Sequence, residues 1–169
     1  MRKIKNVRWY EFKFILAVLL ATMIGGCATI KLVADYDEKI DVGVTELHKL
    51  TEEFFIKLES TAKEDNDKVE AYTSNKEFYE DAKLKISTIR LRADSIQRNS
   101  LTVRMLDKLL NNINRLESDH DEGITKGELP AYRGGLTSQF TAILTFELAK
   151  KRGQKADENA ATTPATETK

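Results

Sequence analysis

From residue 35 onward the apolar positions of this chain recur every three or four residues, the spacing of one helical face rather than the alternation of a half-buried strand. Ile40, Val44, Leu47, Phe54 and Leu58 form one stripe, with Thr51 at the missing step and Leu50 and Phe55 widening the face. Asp35 followed by Glu38 has the form of a capping box, in which the Asp oxygen accepts from an orphan amide and the Glu reaches back. A first helix is therefore expected over residues 35–62. Residues 63–74 are highly charged and carry no stripe, and Ser74 with Glu77 offers a second capping box. The second helix should run from there to about Arg98. Its stripe of Tyr79, Ala82, Ile86, Ile89, Ala93 and Ile96 keeps a strict three-four alternation, the pattern that packs helices at about 20° in left-handed bundles.

Asn99-Ser100 marks a break, because both side chains favour caps over helix interiors. Leu106, Leu109, Ile113 and Leu116 define a third helix ending near Asp119. After a loop, Pro130 fits the first turn of a fourth helix bearing Leu136, Phe140, Ile143, Leu144 and Leu148, with Gly134-Gly135 weakening its start. From residue 153 to 169 the composition turns to Ala, Thr, Glu and Lys with no large apolar side chain, so this tail is expected to be disordered. Four amphipathic helices with short connections predict an all-α fold, an antiparallel four-helix bundle over residues 35–152. The rival arrangement is a coiled-coil dimer built on the second helix.

The segment before the bundle has a different character. Arg2, Lys3, Lys5, Arg8 and Lys13 face a single acid, Glu11, and are followed by an apolar run of 13 residues from Phe14 to Gly26. A helix needs about 20 apolar residues to cross the hydrocarbon core, so this run is too short for a stable span and has the form of an export signal. It ends in Ile24-Gly25-Gly26-Cys27, which resembles the lipobox of bacterial lipoproteins. The resemblance implies that residues 1–26 are cleaved and that Cys27 is the lipid-attachment residue, leaving residues 27–34 as a short linker next to the membrane. Two or three acyl chains, at about 0.8 kcal/mol per buried methylene, anchor a protein durably where one does not. Ala28 after the cysteine implies, by the same resemblance, an outer-membrane protein facing the periplasm.

Cleavage after Gly26 leaves 22 basic and 26 acidic residues, a mildly acidic chain with enough length for one domain. Cys27 is the only cysteine, so once it carries lipid no disulfide is possible and packing must supply the stability. Charge is uneven: Asp35 to Asp81 holds 15 acids against 6 bases, whereas Ala82 to Leu116 holds Lys83, Lys85, Arg90, Arg92, Arg98, Arg104, Lys108 and Arg115 against Asp94 and Asp107. The basic stretch either docks on anionic headgroups or an acidic partner, or packs beside the acidic first helix. The second is the expectation. Export together with net acidity argues against nucleic acid as a partner.

Asp119 to Leu129 looks superficially like a calcium loop, but no register places oxygens at positions 1, 3 and 5, Gly at 6 and Glu at 12. His48 and His120 have no partner at metal-ligand spacing and are expected at the surface. No phosphate loop, nucleophile elbow or HExxH helix occurs. No catalytic, cofactor-binding or metal-binding residue is therefore assigned. Tyr36, Tyr72, Tyr79 and Tyr132 could line a groove, though Tyr79 fits the core stripe better. Phe55 and Phe78 are the candidates for a partner contact, as the outward members of two aromatic pairs. The functional expectation is a non-catalytic, lipid-anchored envelope protein that offers a helical surface to another envelope protein. The alternative is a small-molecule or metal-binding bundle, which would want Glu and Glu-x-x-His inward where this chain has Ile, Leu, Ala and Phe.

Overall fold

The computed structural model describes Lys13 and residues 32–162, and the domain within it is built from four helices. These are α1 (Glu38–Thr61), α2 (Lys76–Asp94), α3 (Ser100–Glu122) and α4 (Leu129–Thr162). Each packs on its neighbour in sequence, and α1 closes the ring against α4. The result is the expected antiparallel four-helix bundle. The signal segment, Cys27 and residues 163–169 lie outside the described residues.

The expected stripes form the core. Ile40, Val44, Leu47, Thr51, Phe54 and Leu58 of α1 meet Tyr79, Ala82, Ile86 and Ile89 of α2, all of them buried. That consumes the α2 face on which a coiled-coil dimer would have been built. Thr51 is tolerated inside because its hydroxyl donates to the Leu47 carbonyl at 2.9 Å. Gly43 lets α1 and α2 approach closely, since a Cβ there would sit 2.9 Å from Cγ1 of Ile89.

Helix ends shift from their expected positions for identifiable reasons. Asp37, not Asp35, caps α1: its carboxylate accepts from the amides of Lys39 at 2.9 Å and Ile40 at 3.2 Å while the Arg92 guanidinium grips it at 2.8 and 2.7 Å. Residues Tyr72–Ser74 form a 3-10 turn, so α2 begins after Asn75, one residue later than the Ser74 cap implied. Asn75 is buried and bridges the turn, donating to the Ala71 carbonyl and accepting from Lys57 Nζ. The end of α2 comes at Asp94, short of Arg98, which takes a left-handed backbone (φ 65°) and accepts from the Ala34 amide at 3.2 Å. Helix α3 continues to Glu122 and stops where Gly123 (φ 98°) donates its amide to the Asp119 and His120 carbonyls.

The last helix differs most, because α4 runs to Thr162, ten residues beyond the expected boundary at residue 152. Lys151, Gln154, Lys155 and Ala156 are good helix formers, and extending an existing helix avoids the nucleation cost. At the opposite end of the bundle, the two long connections are stitched together. The Val69 amide donates to the Ile124 carbonyl, Lys126 to Asp67 and Gly127 to Asp65, at 2.9–3.1 Å. Lys126 Nζ also caps the end of α1 through the Ala62 and Lys63 carbonyls.

Candidate functional site

The sequence-assigned site residue, Cys27, lies outside the described residues, so the structure bears on the domain it would carry. No described helix is long and apolar enough to cross a membrane.

The calcium-like segment is divided among structural duties. Asp119, Asp121 and Glu122 belong to α3; Asp119 accepts from the Tyr132 hydroxyl at 2.8 Å and lies 3.6 Å from Arg115. Glu128 caps its own turn, accepting from the Thr125 amide and hydroxyl at 2.7 and 2.8 Å, contacts that hold its carboxyl below the usual range. Among the described residues no group of His, Cys, Asp and Glu is arranged to hold a metal ion.

Both histidines depart from the expected surface position. His120 is buried in the last turn of α3, with Nε2 2.7 Å from the Glu70 carbonyl and Nδ1 2.8 Å from the Tyr79 hydroxyl. A carbonyl only accepts, so Nε2 carries the proton, and the arrangement fits a Tyr79 O–H donating to Nδ1. Burial pushes the Tyr79 phenol well up, which keeps it a donor. Phe54, Tyr72 and Phe78 surround the pair, with Phe54 stacked on Phe78 at 3.8 Å between ring centres. His48 is half-buried, its ring 5.0 Å from that of Phe140. The aromatic candidates are corrected in one case: Phe55 is fully buried and cannot meet a partner, because α1 presents its 54–55 edge to both neighbours. Phe78 is half-buried beside a shallow groove with Leu50 and Lys57.

A second polar cluster was missed. Asn99, Thr102, Glu147 and Lys150 are all buried where α3 begins and α4 passes it. The Thr102 hydroxyl donates to Glu147 Oε1 at 2.7 Å, Lys150 Nζ donates to Asn99 Oδ1 at 2.9 Å, and the ammonium sits 2.7 Å from Glu147 Oε2 as an ion pair. Leu148, expected on the core stripe, is 42% exposed instead. The signal was present: Leu136, Phe140 and Ile143 continue at three-four spacing to 147 and 150, not to 148. The pair is enclosed and fixes the register of α4 against α3.

Four of the eight cations of the basic stretch pair with acids on neighbouring elements. Lys83 meets Glu117 at 2.6 Å, Arg90 meets Asp107, Arg92 meets Asp37, and Lys85 lies 3.8 Å from Glu46. Arg133 forks onto Glu52 and Glu59 and holds the Glu52 carboxyl down. Tyr36 donates to Asp41 at 2.7 Å, and its phenol is pushed up to about 12 by that bond.

What remains unsatisfied on the α1–α2 side is apolar. Leu84 and Leu91 are 67% and 72% exposed on the outer face of α2 and, at seven residues apart, stand about 10 Å from each other. They border a groove of about 620 Å³ that is also lined by Gly43, Thr88, Ile89, Glu46, Lys85 and Arg92. Sequence reasoning missed these leucines because they fall off the core stripe. Comparison with protein-family models, curated proteins and solved structures finds no match for this chain.

Proposed function

We propose that this chain is a lipid-anchored, non-catalytic protein of the bacterial envelope that offers a helical surface to another envelope protein. The lipobox-like Ile24-Gly25-Gly26-Cys27 supports the anchor, with palmitate or a similar acyl chain on Cys27 and an outer-membrane, periplasm-facing location. The observation that carries the interaction is the pair Leu84 and Leu91 beside the Gly43 groove. Two leucines at this spacing on a rigid helix match the i, i+7 anchors by which an amphipathic helix is received in a groove. Lys85 and Arg92 on one side and Glu46 on the other supply a polar rim.

The test is site-specific photo-crosslinking in intact envelopes from positions 84 and 91, with exposed Asn66 as the reference position. The expected outcome is an adduct of one defined mass from 84 and 91 only, lost when Leu91→Glu is combined with the position-84 crosslinker. Equal, diffuse labelling from all three positions would overturn the reading.

A further inference from the structure

Helix α2 carries a second row of residues opposite the buried one. Glu77, Asp81, Leu84, Thr88, Leu91 and Ser95 follow one another at alternating steps of four and three and are all exposed. The row has acids at its start, two leucines about its middle and, just beyond Ser95, the exposed cation Arg98. Thr88 stands between the leucines, and its hydroxyl donates to the Leu84 carbonyl at 2.9 Å, so it needs no polar partner outside its own helix. Among the described residues Glu77, Asp81 and the Arg98 guanidinium have no ion pair.

The neighbouring part of α1 extends the same polarity. Beside the start of α2, a groove of about 280 Å³ next to Phe78 is lined by Glu53, Glu77 and Asp81, with a single cation, Lys57, that Glu70 engages at 3.0 Å. Beside the end of α2, the groove next to Leu91 is lined by Lys39, Lys85 and Arg92 with a single acid, Glu46, while Arg92 also grips Asp37. The α1–α2 face is thus acidic at one end, basic at the other and apolar between them.

Such a face complements itself only when turned end for end. Two copies of α2 side by side in the same direction set Glu77 on Glu77, Asp81 on Asp81 and Arg92 on Arg92, and like charge opposes that pairing. In opposite directions, about a two-fold axis through Ser87 and Thr88, they set Leu84 on the second copy's Leu91, Asp81 near its Arg92 and Glu77 near its Arg98, each contact occurring twice. The small side chains of Ser87 and Thr88 at the crossing point let the two helix axes approach to about 8–10 Å. We infer that the partner received by this face is a second copy of the chain, docked antiparallel with α2 on α2. The inference rests on the reading of the Leu84–Leu91 face as a docking surface, given above, and names what covers it.

The test is disulfide mapping of the full-length protein in native envelopes, with the parent chain, whose Cys27 is its only thiol, as the control. In the antiparallel pair residue 88 lies beside its own counterpart, whereas residue 84 lies about 10 Å along the axis from its own counterpart and beside that of 91; a disulfide spans no more than about 7 Å between Cα atoms. Thr88→Cys should therefore give a covalent dimer on mild oxidation, several-fold above the exposed reference Asn66→Cys. Leu84→Cys and Leu91→Cys expressed singly should stay near that reference, and the two chains expressed together should bridge. Glu77→Arg should lower the Thr88→Cys dimer several-fold, and Glu77→Arg with Arg98→Glu in one chain should restore it. Bridging at all three single positions means parallel pairing and would overturn the inference, as would no bridging at 88. If the photo-adducts from 84 and 91 then still have one defined mass, the docking surface stands without this partner; diffuse labelling would overturn both.

Discussion

Replacing Lys150 by Met tests whether the enclosed Glu147–Lys150 pair behaves as the geometry requires. The side chains of Glu147 and Lys150 are 0% and 2% exposed, so the substitution leaves a carboxylate with no water and no cation. Removing one member of such a pair costs about 3–5 kcal/mol, and the bond that Glu147 keeps from Thr102 places the expected loss near the lower figure. For a domain of this size about 3 kcal/mol corresponds to a fall of roughly 10–15 °C in Tm. Converting both members, as Glu147→Gln with Lys150→Met, removes the stranded charge and should return stability to within about 1–2 kcal/mol of the parent. Urea unfolding followed by far-ultraviolet circular dichroism reads all four corners of this cycle. If Lys150→Met alone unfolds within about 1 kcal/mol of the parent, the pair is solvated and the register argument for α4 fails.

Phe55→Ala should cost about 3–5 kcal/mol, and Phe78→Ala, half-exposed and losing mainly its stack on Phe54, about 1–2 kcal/mol, both by the same unfolding assay. Arg98→Gly should stabilise the isolated protein by about 0.5–1 kcal/mol, since relief of the left-handed Cβ penalty exceeds the added freedom of the unfolded chain; a loss of stability would contradict the backbone assignment. The Asp37 and Glu52 carboxyls are held below their ordinary values of 3.8 and 4.5 by Arg92 and Arg133, so their contribution is present above those values and lost as pH falls through the lowered folded ones. Urea midpoints should therefore drop between about pH 5 and pH 3, and the slope should flatten in Arg92→Gln combined with Arg133→Gln.

The fold was legible because its information is periodic. The stripes through Ile40 to Leu58 and Tyr79 to Ala93 identify the buried faces without any knowledge of partners, since only one face of each helix can exclude water. What the pattern hides is polar. Glu147 and Lys150 occupy stripe positions with the wrong chemistry, and only the approach of Thr102 and Asn99 from α3 explains how they are satisfied. His120 is similar: its neighbours in sequence are Asp119 and Asp121, which suggest a solvated turn, while its actual partners, Tyr79 and Glu70, are 41 and 50 residues away. Phe55 was misjudged because α1 is flanked on both sides, by α2 and α4, and so buries a wider arc than a single stripe. The exposed pair Leu84 and Leu91 was overlooked for the converse reason, that isolated leucines off a stripe look like ordinary surface. The end of α4 could not be placed from composition because the tail's alanines and lysines are as compatible with a continuing helix as with a loose chain.

The clasp between Ala34 and Arg98 has a mechanical consequence. Any tension that reaches Val33 along the polypeptide meets this backbone bond first and the Arg92–Asp37 fork directly behind it, before α1 itself is loaded. Both connections lead into the α2–α3 hairpin, so strain is shared across three helices and does not unzip α1 from its end. The N-terminal end of the domain is thereby secured by the α2–α3 turn as well as by α1.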